Sequence, residues 1–177
     1  MPPANGSTTA PPRQRGFTLI ELIIVLVVLA ILATMATPSI QRLMAQQRVS
    51  TEVLRLRNAL QLARSYAIMR RTTVTICPSR DGQACTPEDW TTPLMIIQGR
   101  ADDATLENET VLRELSASRV VSVTYRNDGR PVRFKPMGWS TGHNGTFEIC
   151  GRYGEGARVI LSNLGRIRTS GETPSGC

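Results

Sequence analysis

The chain has 177 residues, a formal net charge of +7 and a pI near 10.0. That length admits one targeting segment, one long helix and one small domain, and it excludes two sizeable cores. Of the 21 basic residues only Lys135 is a lysine, and so arginine-rich an excess admits nucleic acid, anionic lipid or an acidic partner.

Residues 1–16, MPPANGSTTAPPRQRG, are rich in Pro, Ser, Thr and Ala and end on Arg13, Arg15 and Gly16. They read as a targeting leader rather than as fold. Arginines ahead of an apolar run predict a cytoplasmic N-terminus. No small-residue cleavage site follows the apolar core, as it would in a secretory signal peptide. Phe17 to Ala36 is mostly Leu, Ile and Val, and about twenty such residues cross ~30 Å of hydrocarbon as a helix. We take 17–37 as a transmembrane and assembly helix. One carboxylate, Glu21, stands near its start. An isolated acid is costly in lipid and marks a function by default. A plain anchor gains nothing from it. A filament subunit does, because Glu21 can pair with the N-terminal ammonium of a neighbour and relieve that cost.

Pro38 is expected to kink or locally melt the helix, since it lacks an N–H and crowds the preceding turn. Beyond it, over 38–71, the pattern is amphipathic. Val49, Val53, Leu56, Leu60, Ala63 and Ala67 form one apolar stripe at helical spacing, with Arg42, Arg48, Glu52, Arg55 and Arg57 largely elsewhere.

After Arg71 the texture turns to strands: 72–77, 94–98, 111–115, 120–125, 132–134, 146–150 and 158–161. Asn127-Asp128-Gly129 is a hairpin-turn signal ahead of Val132. Residues 78–93 and 135–145 read as loops. The expected domain, 72–177, is an antiparallel sheet packed on the amphipathic half-helix, an α+β fold.

Cys77, Cys85, Cys150 and Cys177 are an even set, which in an exported domain favours two disulfides out of three possible pairings. The expected bonds are Cys77–Cys85, closing a short Pro/Gly loop, and Cys150–Cys177, pinning the C-terminus to a strand. Zinc is the competing use, weakened by the lack of a CxxC pair and by a single histidine, His143. His143 has no nucleophile partner that would make it catalytic. GRYGEG, at 151–156, lacks the βαβ context of a dinucleotide fingerprint and reads as a turn. Asp102, Asp103, Glu107 and Glu109 are irregularly spaced and read as a solvated loop. Trp90 and Trp139 read as core or loop anchors.

Near the C-terminus stands GRIR. Gly165 supplies a turn conformation that other residues resist. In an extended segment Arg166 and Arg168 project one way while Ile167 turns inward. Two guanidinium groups then meet one phosphate track, and Arg158 and Arg152, near in sequence, are candidates to extend it. The competing use is a solvated hairpin with two surface arginines.

RQRGFTLIELIIVLVV, from Arg13, resembles the class III signal of type IV prepilins and type II secretion pseudopilins. That resemblance implies a prepilin peptidase that cuts after Gly16 and methylates Phe17. It also implies a subunit held once through the inner membrane, with a periplasmic domain, until it joins a filament. Ala59 to Cys85, ALQLARSYAIMRRTTVTICPSRDGQAC, resembles the GspH/FimT group of minor pilins and pseudopilins, with Tyr66 where that group often has Glu. Leu161 to Gly171, LSNLGRIRTSG, resembles the Gly-Arg-x-Arg tail of FimT-type minor pilins, which bind DNA during natural transformation. The family likeness therefore implies a FimT-like minor pilin, not an enzyme and without a cofactor. Its expected partners are other major and minor pilins, the prepilin peptidase, the inner membrane, and double-stranded DNA without sequence preference. The alternative is a GspH-type pseudopilin of a type II secretion system, contacting exported proteins.

Overall fold

The computed structural model describes residues 16–101, 106, 109–126 and 128–177. Arg13 and Arg15 of the leader, Asp102, Asp103 and Glu107 of the acidic loop, and Asn127 of the expected hairpin turn lie outside the described residues. One helix, α1 (Leu19–Arg70), precedes eight strands. The chain divides after Ile40 into two compact units.

The first unit holds the start of α1. Thr18 caps it: its carbonyl accepts the Leu22 N–H at 3.2 Å and its Oγ1 accepts the Glu21 N–H at 3.3 Å. Thr18-Leu19-Ile20-Glu21 has the Thr-x-x-Glu order of a capping box, and an acid in the first turn suits the positive end of the helix dipole. The described residues up to Ile40 are all exposed. The most apolar window has a mean hydropathy of 2.9 with none of it buried, so by length and composition this stretch can cross a membrane. The helix runs unbroken through Pro38, so the expected local melting does not occur. Proline removes one rung of the ladder, and the turns on either side hold the rest.

The second unit begins at Gln41. Here the α1 stripe buries Ala45, Val49, Leu56, Ala59, Leu60, Ala63 and Ala67, with Val53 only partly covered. Glu52 departs from expectation: it is buried, with 3% exposure. Arg55 explains it. Its Nη1 donates to Glu52 Oε1 at 2.6 Å, its Nε to the Ser116 carbonyl at 2.7 Å and its Nη2 to the Thr92 carbonyl at 2.8 Å. The pair ties the helix to two loops of the domain. Arg71 ends the helix in the left-handed region, φ 50. Thr72 N–H bonds the Ala67 carbonyl and Arg71 N–H bonds the Ile68 carbonyl, the two bonds of a Schellman cap.

The strands form two four-stranded antiparallel sheets rather than one. β1 (Val74–Pro78), β2 (Leu94–Gln98), β3 (Thr110–Leu115) and β5 (Val132–Phe134) make the order β3-β2-β1-β5. β4 (Ser122–Thr124), β6 (Gly145–Cys150), β7 (Gly156–Leu161) and β8 (Ile167–Ser170) make the order β4-β6-β7-β8. The expected hairpin around Asp128 is therefore absent. β4 pairs with β6 and β5 with β1, so this segment crosses between sheets. Arg126 shapes the crossing by bonding Asp128 Oδ1 at 3.1 Å and the Asn144 carbonyl at 2.7 Å.

One apolar core joins the helix stripe to residues of both sheets. Trp90 lies in it, edge-on to Phe147 at 4.9 Å and to Tyr125 at 5.3 Å between ring centroids. Trp139, in contrast, is 47% exposed. Disulfides join Cys77 to Cys85 and Cys150 to Cys177, as expected, leaving no free thiol.

His143 gives the fold a pH dependence. Its Nδ1 lies 2.7 Å from the Pro131 carbonyl. Burial holds its pKa below the usual 6.5; the Pro131 bond opposes that shift, while the charges of Arg133, Arg130 and Arg126 add to it. A depressed folded-state pKa means that the unfolded chain takes the proton more readily. Stability present above pH 6.5 is thus lost as the pH falls through the folded value. Thermal melting should occur at a lower temperature at pH 5 than at pH 7, and His143→Gln should flatten that slope. Equal slopes in the two proteins would refute the assignment.

Candidate nucleic-acid interface

The GRIR segment closes the β7–β8 hairpin. Gly165 N–H bonds the Ser162 carbonyl at 2.8 Å and Ser162 N–H bonds the Arg166 carbonyl at 3.0 Å. Asn163, Leu164 and Gly165 therefore form a three-residue hairpin loop, whose last position is left-handed. Gly165 has φ +73, and a Cβ there would overlap the Gly138 carbonyl oxygen. Both backbone conformation and space demand glycine.

The turn is braced from two sides. Ser140, fully buried, donates its N–H to the Asn163 carbonyl at 2.9 Å and its Oγ to the Ser162 carbonyl at 2.7 Å. Arg64 on α1 reaches the Leu164 carbonyl with Nη2 at 3.4 Å. Sequence reasoning missed Arg64, and no local signal marks it, because its partner lies 100 residues away. Gly165→Ala should cost about 1–3 kcal/mol from backbone strain alone, measurable by chemical denaturation. A variant as stable as wild type would contradict the turn described here.

Strand register sets which way the cations point. Ile160 pairs with Arg168, and Arg158 with Ser170. Directly paired residues share a face. Ala157, Val159 and Leu161 are buried, so Arg158, Ile160 and Arg168 occupy the outer face. Ile167 packs on the core, while Arg166 and Arg168 are exposed on either side of it. Among the described residues neither arginine has a carboxylate within ion-pair distance.

The other two candidates differ. Arg158 lies 3.3 Å from Glu148 Oε1 and 3.4 Å from Glu172 Oε2, so its charge is already partnered. Arg152 sits in the β6–β7 turn. Cys150 pairs with Gly156 there, at the end of β7 opposite to GRIR. The structure thus brings together Gly165, Arg166 and Arg168, adds Arg64 beneath them, and holds Arg152 apart. At the other site, Gly16 and Phe17 precede α1, with Phe17 85% exposed, and Glu21 lies in its first turn.

Residues 52–165 match the family described as type II transport protein GspH, and residues 11–37 match the prokaryotic N-terminal methylation motif. The fold is similar to that of the type IV minor pilin FimU of Pseudomonas aeruginosa, with 22% identity and a TM-score of 0.58 over 73% of this chain and 94% of that one. A second crystal form of FimU gives 23% identity and a TM-score of 0.56, over 71% and 97% of the two chains. No curated protein matches the chain significantly.

Proposed function

Because the chain belongs to the GspH family and carries the N-terminal methylation motif, we propose that it is a minor type IV pilin whose β7–β8 hairpin binds duplex DNA. On this reading a prepilin peptidase removes the leader after Gly16 and methylates Phe17. Phe17–Ala36 holds the subunit in the inner membrane with its domain in the periplasm. The same helix then carries it into a pilus beside major and other minor pilins, with Glu21 paired to a neighbour's N-terminus.

The observation that carries the DNA reading is the pair Arg166 and Arg168. They are exposed and lack acidic partners among the described residues, on an edge strand whose turn is fixed by Ser140 and Arg64. A guanidinium fork suits phosphate oxygens. Two of them on a rigid hairpin would grip a backbone without reading its bases, which is what uptake of arbitrary DNA in natural transformation requires. The overall charge of +7 adds long-range attraction.

The test is duplex binding at 50 mM salt, read by fluorescence anisotropy. Arg166→Gln/Arg168→Gln should bind about tenfold more weakly or worse. Equal binding by the two proteins sinks the hairpin assignment. The family description, type II transport, favours a second reading: a pseudopilin that contacts exported proteins. Recovery with secretion components, together with no affinity for DNA, would select it.

A further inference from the structure

Arg152 stands apart from the hairpin but has company. Arg48 on α1 and Arg119 ahead of β4 line the same cleft of about 270 Å³, together with Ala45, Val120 and Gly151. Two contacts assemble it. Val121 N–H bonds the Cys150 carbonyl at 3.1 Å, which sets the 119–121 segment beside the end of β6. A Cβ on Gly151 would lie 3.1 Å from Val49 Cγ2, so the β6–β7 turn rests on the helix next to Arg48. All three arginines are exposed, and none has a carboxylate within ion-pair distance among the described residues. No acid lines the cleft. Glu155, the acid of that turn, accepts from Tyr153 N–H at 3.0 Å and lies against Gly151, and among the described residues it forms no ion pair with the three arginines.

Three arginines lining one small cleft concentrate positive charge there, which a bound anion would offset. Their forked donors match the oxygens of a phosphate group. We propose that Arg48, Arg119 and Arg152 form a second phosphodiester site, which takes the backbone of the same duplex as the Arg166–Arg168 hairpin. This rests on the DNA reading above. β7 links the two places, with one turn at each of its ends. Its six residues span about 20 Å, less than one ~34 Å turn of duplex, so the separation along β7 is within the length of one duplex.

The test uses the full chain in neutral detergent and a 30-base-pair duplex of about 100 Å. Log K is plotted against log salt for wild type, Arg48→Gln/Arg119→Gln and Arg48→Lys/Arg119→Lys. Two lost phosphate contacts should make the slope shallower by about 1.8. The lysine variant should keep the wild-type slope, and the loss should add to that of Arg166→Gln/Arg168→Gln. Equal melting temperatures verify that these surface variants fold. If Arg48→Gln/Arg119→Gln keeps the wild-type slope while the hairpin variant loses its own, this site is wrong and the DNA reading survives. If wild type binds no duplex, both fail. If the glutamine variant binds DNA normally but loses binding of short-chain phosphatidylglycerol that wild type shows in the same detergent, the cleft is a lipid headgroup site and the proposal is overturned.

Discussion

Glu21→Gln should leave the subunit made and inserted in the membrane but nearly absent from sheared filaments. The reason is electrostatic. On the proposed pairing, each Glu21 neutralises the N-terminal ammonium that processing creates on a neighbour. Glutamine leaves that ammonium without a counter-charge in an apolar environment. Stranding one member of a buried ion pair costs about 3–5 kcal/mol, which corresponds to more than a hundredfold in an assembly equilibrium. The structure offers Glu21 a competing role, because Thr18-Leu19-Ile20-Glu21 also has the order of a capping box. Glutamine serves that box as well as glutamate does, whereas alanine does not. If Glu21→Gln incorporates normally and only Glu21→Ala fails, the residue is a helix cap and the pairing role is lost.

The second large effect is at Arg55. Its side chain bonds Glu52, Ser116 and Thr92, and Glu52 has almost no access to water. Arg55→Met should destabilise the domain by about 3–5 kcal/mol, because it strands the Glu52 carboxylate. Adding Glu52→Leu to it should recover part of the loss, since removing both charges of a buried pair costs less than removing one. Denaturant unfolding measures both. If the double variant is destabilised by the sum of the two singles, Glu52 and Arg55 are not coupled in the manner described.

What was legible follows from the range of each interaction. RGFTLIEL and the apolar run are local patterns, and the helix reads directly from them. The strand texture is local as well, and most strands fall where alternation and β-branching put them. The partition into two sheets is not local. It depends on β4 choosing β6 and β5 choosing β1, while the turn residues between them argue for a hairpin. Arg126 helps hold the crossing through Asn144, 18 residues away. Glu52 illustrates the same limit: by charge it belongs on a wet face, and only Arg55 with the carbonyls of two distant loops makes its burial tolerable. At the candidate interface, Gly165, Arg166 and Arg168 are contiguous and were legible as a unit. Proximity in sequence alone groups Arg158 and Arg152 with them. Glu148 and Glu172 occupy the first, and the length of β7 separates the second.

The claim that GRIR is a phosphate-gripping hairpin is tested most directly by salt-dependent DNA binding. Two unrelated duplexes are titrated with wild type and with Arg166→Gln/Arg168→Gln across a range of salt. The account predicts straight lines of log K against log salt, the same for both duplexes, and a slope shallower by about 1.8 in the variant. Identical slopes and affinities for wild type and variant would contradict it.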